Sequence, residues 1–258
     1  MLRRMVENQH ASDHALEVFE RTERRELRPR AGNGPTDEDR SYRVVPTGTG
    51  FVRVLVAENG RPVSAADYRK GMLELQKALE DVLDSNNPRA HDDFAKRDRR
   101  TRERTTLIDA VREAYIVTSI GTELRDGHTL QKFRLEPNPA YRPKTRTMEF
   151  MSHTRATIWV EEKSASLAQI GGEVVSDVSF GAGIGKVYRG ATLFMRQQEV
   201  QPGVWLPEYY QTDYTARKLF FVSETHERIT TVNYRRIGPP AEALAEIKRE
   251  LKVAADPR

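Results

Sequence analysis

YIVTSIGTEL (residues 115–124) and TLQKFRLEP (129–137), separated by Arg125-Asp126-Gly127-His128, decide the fold. Both runs are rich in β-branched and apolar residues, and the Asp-Gly pair supplies the two φ > 0 positions of a tight hairpin turn. The same texture continues downstream. NPAYRPK (138–144) is a proline-bounded loop and 145–154 can hold a short helical patch. ATIWVEEK (156–163), LAQIGGEVV (167–175), ATLFMRQQEV (191–200), VWLPEYYQTDYTA (204–216), KLFFVSE (218–224) and ITTVNYRRI (229–237) then read as successive strands. Between them lie the glycine bend SFGAGIGK (179–186) and the turn QPG (201–203).

Upstream, residues 16–28, SYRVVP (41–46) and FVRVLVAENG (51–60) form a three-stranded meander, broken by the loop AGNGPTDED (31–39) and the turn TGTG (47–50). Leu2, Met5, Val6 and Gln9 stand at helical spacing within 2–10. At Ser64 the period changes again. Ser64-Ala-Ala-Asp67 is a capping start, and Tyr68, Met72, Leu75, Leu79 and Val82 make one apolar stripe running to about Asp84. A second helix runs over 89–114, and a C-terminal helix over 241–252 follows Gly238-Pro239-Pro240. The whole reads as one α+β domain over 1–237 with about 10–11 strands, a helical insertion at 64–114 and a C-terminal helical tail over 238–258.

The 258 residues are 38% hydrophobic and 31% charged, which excludes a polytopic membrane protein and a mostly disordered chain. Forty-two basic residues against 38 acidic leave a surplus of only four, a weak field for a nucleic-acid binder, so no nucleic-acid partner is expected. With no cysteine there is no disulfide framework, thiolate nucleophile or Cys-ligated metal site. The first residues carry two arginines but no apolar h-region, which leaves open a cytoplasmic protein or a trimmed mature form.

Catalytic motifs are missing too. In Gly181-Ala-Gly-Ile-Gly185-Lys186 a phosphate loop would need Gly at Phe180 and Ser or Thr at Val187, so the segment reads as a β-turn or bulge. No G-x-S-x-G elbow exists, and the six histidines, His10, His14, His91, His128, His153 and His226, read as surface residues. No enzyme activity, cofactor or metal is therefore expected. Lys96, Arg97, Arg100 and Arg104 lie in the basic run 96–104, whose ordinary reading is a solvated helix face and whose functional one is contact with an anionic membrane. Large side chains on separate strands, Phe51, Phe133, Trp159, Phe194, Trp205 and Phe220, are the candidates to line an apolar cleft, with the helix bearing Tyr68, Met72, Leu75 and Leu79 as its lid.

The chain also resembles the LolA-like superfamily, and more closely an uncharacterised bacterial branch described as outer-membrane lipoprotein-sorting-like. The residues that carry this are Leu2-Arg3-Arg4-Met5-Val6-Glu7-Asn8, Asp126-Gly127-His128 with Phe133 to Pro139 and Tyr141, Thr157-Ile158-Trp159-Val160-Glu161, Val178-Ser179-Phe180-Gly181, and Gly203-Val204-Trp205-Leu206-Pro207. The resemblance implies an incomplete, open antiparallel β-barrel with helices on its concave face, residence in the periplasm, and a non-enzymatic role. Its ligand would be a lipid, a lipoprotein acyl chain or another hydrophobic molecule. An alternative is a sensor module that docks a membrane-anchored protein or an anionic membrane through its sheet edge and basic helix.

Overall fold

A computed structural model describes residues 1–28, 38–180 and 185–253. The glycine bend at 181–184 and most of the loop 31–39 lie outside them. Helix α1 (Leu2–Ala15) precedes strands β1 (Phe19–Arg28), β2 (Glu38–Pro46), β3 (Phe51–Glu58) and β4 (Arg61–Pro62). Helices α2 (Ala65–Leu83) and α3 (Pro88–Ala114) follow, then β5 (Tyr115–Arg125), β6 (His128–Pro137) and a single helical turn α4 (Arg146–Glu149). The remainder is β7 (Thr154–Glu161), β8 (Leu167–Val174), β9 (Val178–Phe180), β10 (Gly185–Val187), β11 (Thr192–Gln201), β12 (Val204–Lys218), β13 (Phe221–Arg236) and α5 (Pro240–Val253).

The architecture is α+β, with an antiparallel sheet ordered β4-β3-β2-β1-β13-β12-β11-β8-β7-β6-β5; β10 pairs with β12 and with β9. Its end strands β4 and β5 do not pair with each other, so the sheet is open. Thirteen strands among the described residues replace the expected 10–11, because β4, β9 and β10 are only two or three residues long. KLFFVSE and ITTVNYRRI are not two strands: the chain turns at Leu219-Phe220 and then runs unbroken through β13. Helix α1 also outruns the expected 2–10, since nothing from His10 to Ala15 breaks a helix.

The chain divides into two compact units. The first comprises Met1–Ser12, Glu26–Asp37 and Arg104–Thr230. Its hairpin β5–β6 turns on Asp126 and Gly127, both at positive φ (50° and 81°), the left-handed pair that this turn type requires. Strand alternation sorts residues by face. Register places Ser119, Phe133, Ile158, Ile170 and Met195 in one row across β5, β6, β7, β8 and β11, and Val117, Leu135 and Ala156 in the row beside it. Apart from Ser119, the residues of the two rows belong to an apolar cluster with Met5 and Val6 of α1, flanked by Ile108 and Val111 at the end of α3.

The second unit comprises Asp13–Arg25, Glu38–Glu103 and Thr231–Arg258. Ser64 caps α2: its Oγ accepts from the Asp67 N–H at 3.1 Å and donates to the Asp67 carboxylate at 2.6 Å. The expected stripe is core. Met72, Leu75 and Leu79 are buried against Val45 and Val54 of β2 and β3 and against Ala243, Ile247 and Leu251 of α5, with Tyr68 at the margin. The expected C-terminal tail thus supplies three core residues.

An ion-pair network accompanies this core. Arg43 Nη2 donates to Glu20 Oε2 at 2.7 Å and Nη1 to Glu250 Oε2 at 2.6 Å, while Arg235 bonds both Glu20 and Glu246. Burial alone would favour a neutral Arg43, but its bonds to Glu250, Tyr68 and Glu20 hold its pKa above the ordinary value.

Candidate functional site

In the first unit, Leu2, Met5 and Val6 recur at i, i+3 and i+4 on α1 and so share one helical face. Beneath them Val117, Leu135 and Ile158 project from β5, β6 and β7, and Val111 and Arg112 close the side from α3. These eight residues enclose a pocket of about 110 Å³. Seven are apolar. Arg112 is exposed and makes no ion pair among the described residues, so the pocket is greasy inside with one positive charge on its wall.

Polar contacts seat α1 over the pocket. Asn8 Nδ2 donates to the carbonyls of Ser164 (2.6 Å) and Ala165 (3.3 Å) in the β7–β8 turn, and His10 meets Asp109 of α3 at 3.2 Å. The turn is in turn shaped by Glu161, whose Oε2 accepts from the Ser164 N–H at 2.6 Å and from its hydroxyl at 2.7 Å. Glu161 is buried, which would raise its pKa, but the bonds from Ser164 and the Lys163 N–H outweigh burial and hold the carboxyl below its usual range. A chain of contacts therefore runs from Glu161 through the turn and Asn8 to the helix that carries three of the lining residues.

The residues nominated from sequence are dispersed. Phe133 lies on the pocket's face of the sheet, half-buried beside the apolar cluster, without lining the pocket itself. Trp159 and Phe194 alternate to the opposite face. There Trp159 packs with Leu130, Ala168 and the buried Trp205, and its Nε1 donates to Glu123 at 3.0 Å. Bonds from Arg125 and from that indole hold the Glu123 carboxyl below its usual range. Phe194 meets Tyr209 edge-on. Phe220 stands at the β12–β13 turn, 94% exposed, and is not among the residues that line this pocket. The signal that does find the pocket is the spacing of Leu2, Met5 and Val6, legible in the sequence but assignable there only to an ordinary amphipathic helix.

Phe51 belongs to the second unit, on the wall of an open polar hollow of about 420 Å³ with Glu17, the 48–50 turn, Arg53, Arg97, Arg100 and Thr101; the Arg21 guanidinium lies over its ring at 4.4 Å. The basic run is laced with partners. Arg97 bonds Glu17 (2.6 Å), Arg100 the Thr49 carbonyl (3.1 Å) and Lys96 Asp93 (3.0 Å), while Arg104 is likewise engaged. Tyr68, Met72, Leu75 and Leu79, nominated as a lid, fill the second unit's core instead of covering a cleft. The reason is that α5, which the apolar stripe alone does not reveal as a partner, packs against α2.

Among the described residues no three His, Asp or Glu side chains converge as a metal-binding group. No helix there is long and apolar enough to cross a membrane. No family model and no curated protein matches the chain. Two solved structures align with it at low identity. One is a DUF1329 family protein from Desulfovibrio piger, at 11% identity and a TM-score of 0.32, covering 91% of this chain and 92% of its own. The other is described as an outer membrane lipoprotein-sorting protein domain from Vibrio parahaemolyticus, at 10% identity and a TM-score of 0.35, covering 98% of this chain and all of its own.

Proposed function

We propose that this chain is a non-enzymatic binding protein that takes the aliphatic end of a lipid or lipoprotein acyl chain beneath α1. The observation that carries the reading is the pocket's chemistry: seven apolar side chains around about 110 Å³, with Arg112 on the wall to meet an anionic head. An apolar cavity of roughly 150 Å³ accepts a benzene-sized guest, so this one has room for a few terminal carbons as it stands. A longer chain enters by lifting α1, which is seated by a few side-chain hydrogen bonds on its polar side. The LolA-like resemblance read from the sequence points to the same ligand class, and to the periplasm as the setting.

Displacement of a fluorescent fatty acid, together with mass spectrometry of lipids extracted from natively purified protein, tests the reading. Arg112 is exposed, so Arg112→Glu leaves the fold intact. It is expected to weaken fatty-acid binding about tenfold, the effect of losing roughly 1.4 kcal/mol of charge attraction, while leaving a fatty alcohol of equal length unaffected. A wild-type protein with neither bound lipid nor a displaceable probe would overturn the proposal.

A further inference from the structure

We infer that the β12–β13 turn is an insertion tip for the interface of an anionic lipid bilayer. Four consecutive apolar residues crown this hairpin and are exposed: Leu219 is 52% exposed, Phe220 94%, Phe221 79% and Val222 60%. A turn at this position ordinarily carries Gly, Asn or Asp, because its backbone enters the left-handed region. Here Leu219 adopts φ 57°. A bulky side chain in that conformation is unfavourable for the isolated turn, so neither packing nor turn chemistry accounts for the residues found.

Charge selects the occupant. Lys218 pairs with Phe221 and Arg217 with Val222, which puts two cations one and two residues behind the turn, about 3 and 7 Å along the strand. Lys186 of β10 stands opposite Arg217 and forms an ion pair with Asp177 at 2.6 Å. No acidic residue occurs between Tyr214 and Ser223; the first, Glu224, sits opposite Thr215, farther from the tip. Leu219 and Phe220 foremost, with Phe221 level with Lys218 and Val222 level with Arg217, match an interface in which apolar groups sink about 5–10 Å and lysine and arginine meet lipid phosphates. The cations set beside these aromatics suit the tip to penetration between anionic headgroups better than to pairing with a second copy, which would bring like charges together. It shares no residue with the pocket beneath α1, so this inference stands or falls apart from the proposed ligand.

Co-sedimentation of the full chain with vesicles of phosphatidylcholine and phosphatidylglycerol, against phosphatidylcholine alone, tests it. The wild type is expected to bind the anionic vesicles more tightly and to lose affinity as salt rises. The double variant Phe220→Ser, Phe221→Ser changes two exposed residues and is expected to fold as the wild type, yet to bind about tenfold or more weakly, because each buried aromatic drives partition into an apolar phase. Phe220→Trp is expected to bind and to shift its emission to the blue on the anionic vesicles. The inference is overturned if the wild type stays in the supernatant, if the double serine variant binds equally well, or if the Phe220→Trp emission does not move. It is also overturned if the exposed phenylalanines instead support a concentration-dependent dimer without vesicle binding.

Discussion

Replacing Glu161 probes the chain of contacts that seats α1 over its pocket. The carboxylate accepts two hydrogen bonds from Ser164, at 2.6 and 2.7 Å, in a buried position. Bonds to a charged acceptor contribute roughly 1.5–3 kcal/mol each, and neutral ones about 1. Glu161→Gln keeps an acceptor oxygen but not the charge, and is expected to cost about 1–2 kcal/mol. Glu161→Ala removes the acceptor and leaves the Ser164 donors without their partner, for about 3 kcal/mol. At this chain length each kcal/mol moves the melting temperature by about 2–4 °C, so the alanine variant should melt roughly 6–12 °C lower.

Both tryptophans of the chain, Trp159 and Trp205, lie in the first unit, so their fluorescence on heating or in urea reports this unit directly. The pH dependence has a definite sign. The folded carboxyl titrates below its unfolded value of about 4.3, so its stabilisation is fully present above that pH and is lost as pH falls through the folded pKa. The wild type therefore weakens on acidification in that window, and Glu161→Gln does so less. A fatty-acid probe should also bind the alanine variant more weakly, because Asn8 loses its ordered acceptors. A glutamine variant with the wild-type melting temperature and the wild-type acid limb would refute the reasoning.

Two further outcomes concern the second unit. Gly71→Ala on α2 would place a Cβ 2.9 Å from Val54 Cγ1, a side chain with no room to retreat. The gain of about 1 kcal/mol in helix propensity should be exceeded by overpacking of about 1–3, giving a net loss in urea titrations followed by circular dichroism that Val54→Ala restores. Glu20→Ala removes the carboxylate shared by Arg43 and Arg235 and is expected to cost about 3 kcal/mol by the same measurement, as breaking a buried pair does. A loss under 1 kcal/mol would mean that Glu250 and Glu246 suffice to hold both guanidiniums.

The amino-acid sequence by itself determined the local geometry. Asp126-Gly127 specified a hairpin because only left-handed positions close such a turn, and Ser64 specified where α2 begins because its hydroxyl meets an N–H three residues on. Apolar period likewise placed Met72, Leu75 and Leu79 on one helical face. Only the tertiary structure decided what each face meets. Period two makes Phe133 and Trp159 look alike on paper, whereas the β6–β7 register puts one on the pocket's face and the other behind it. The stripe on α2 found α5 as its partner, Phe220 ended at a turn because two apparent strands were one, and the modest Leu2, Met5 and Val6 became the cover of the pocket. Local backbone preferences act between neighbours and are written in consecutive residues. A face's occupant depends on contacts between segments far apart in the chain, which no single window of sequence encodes.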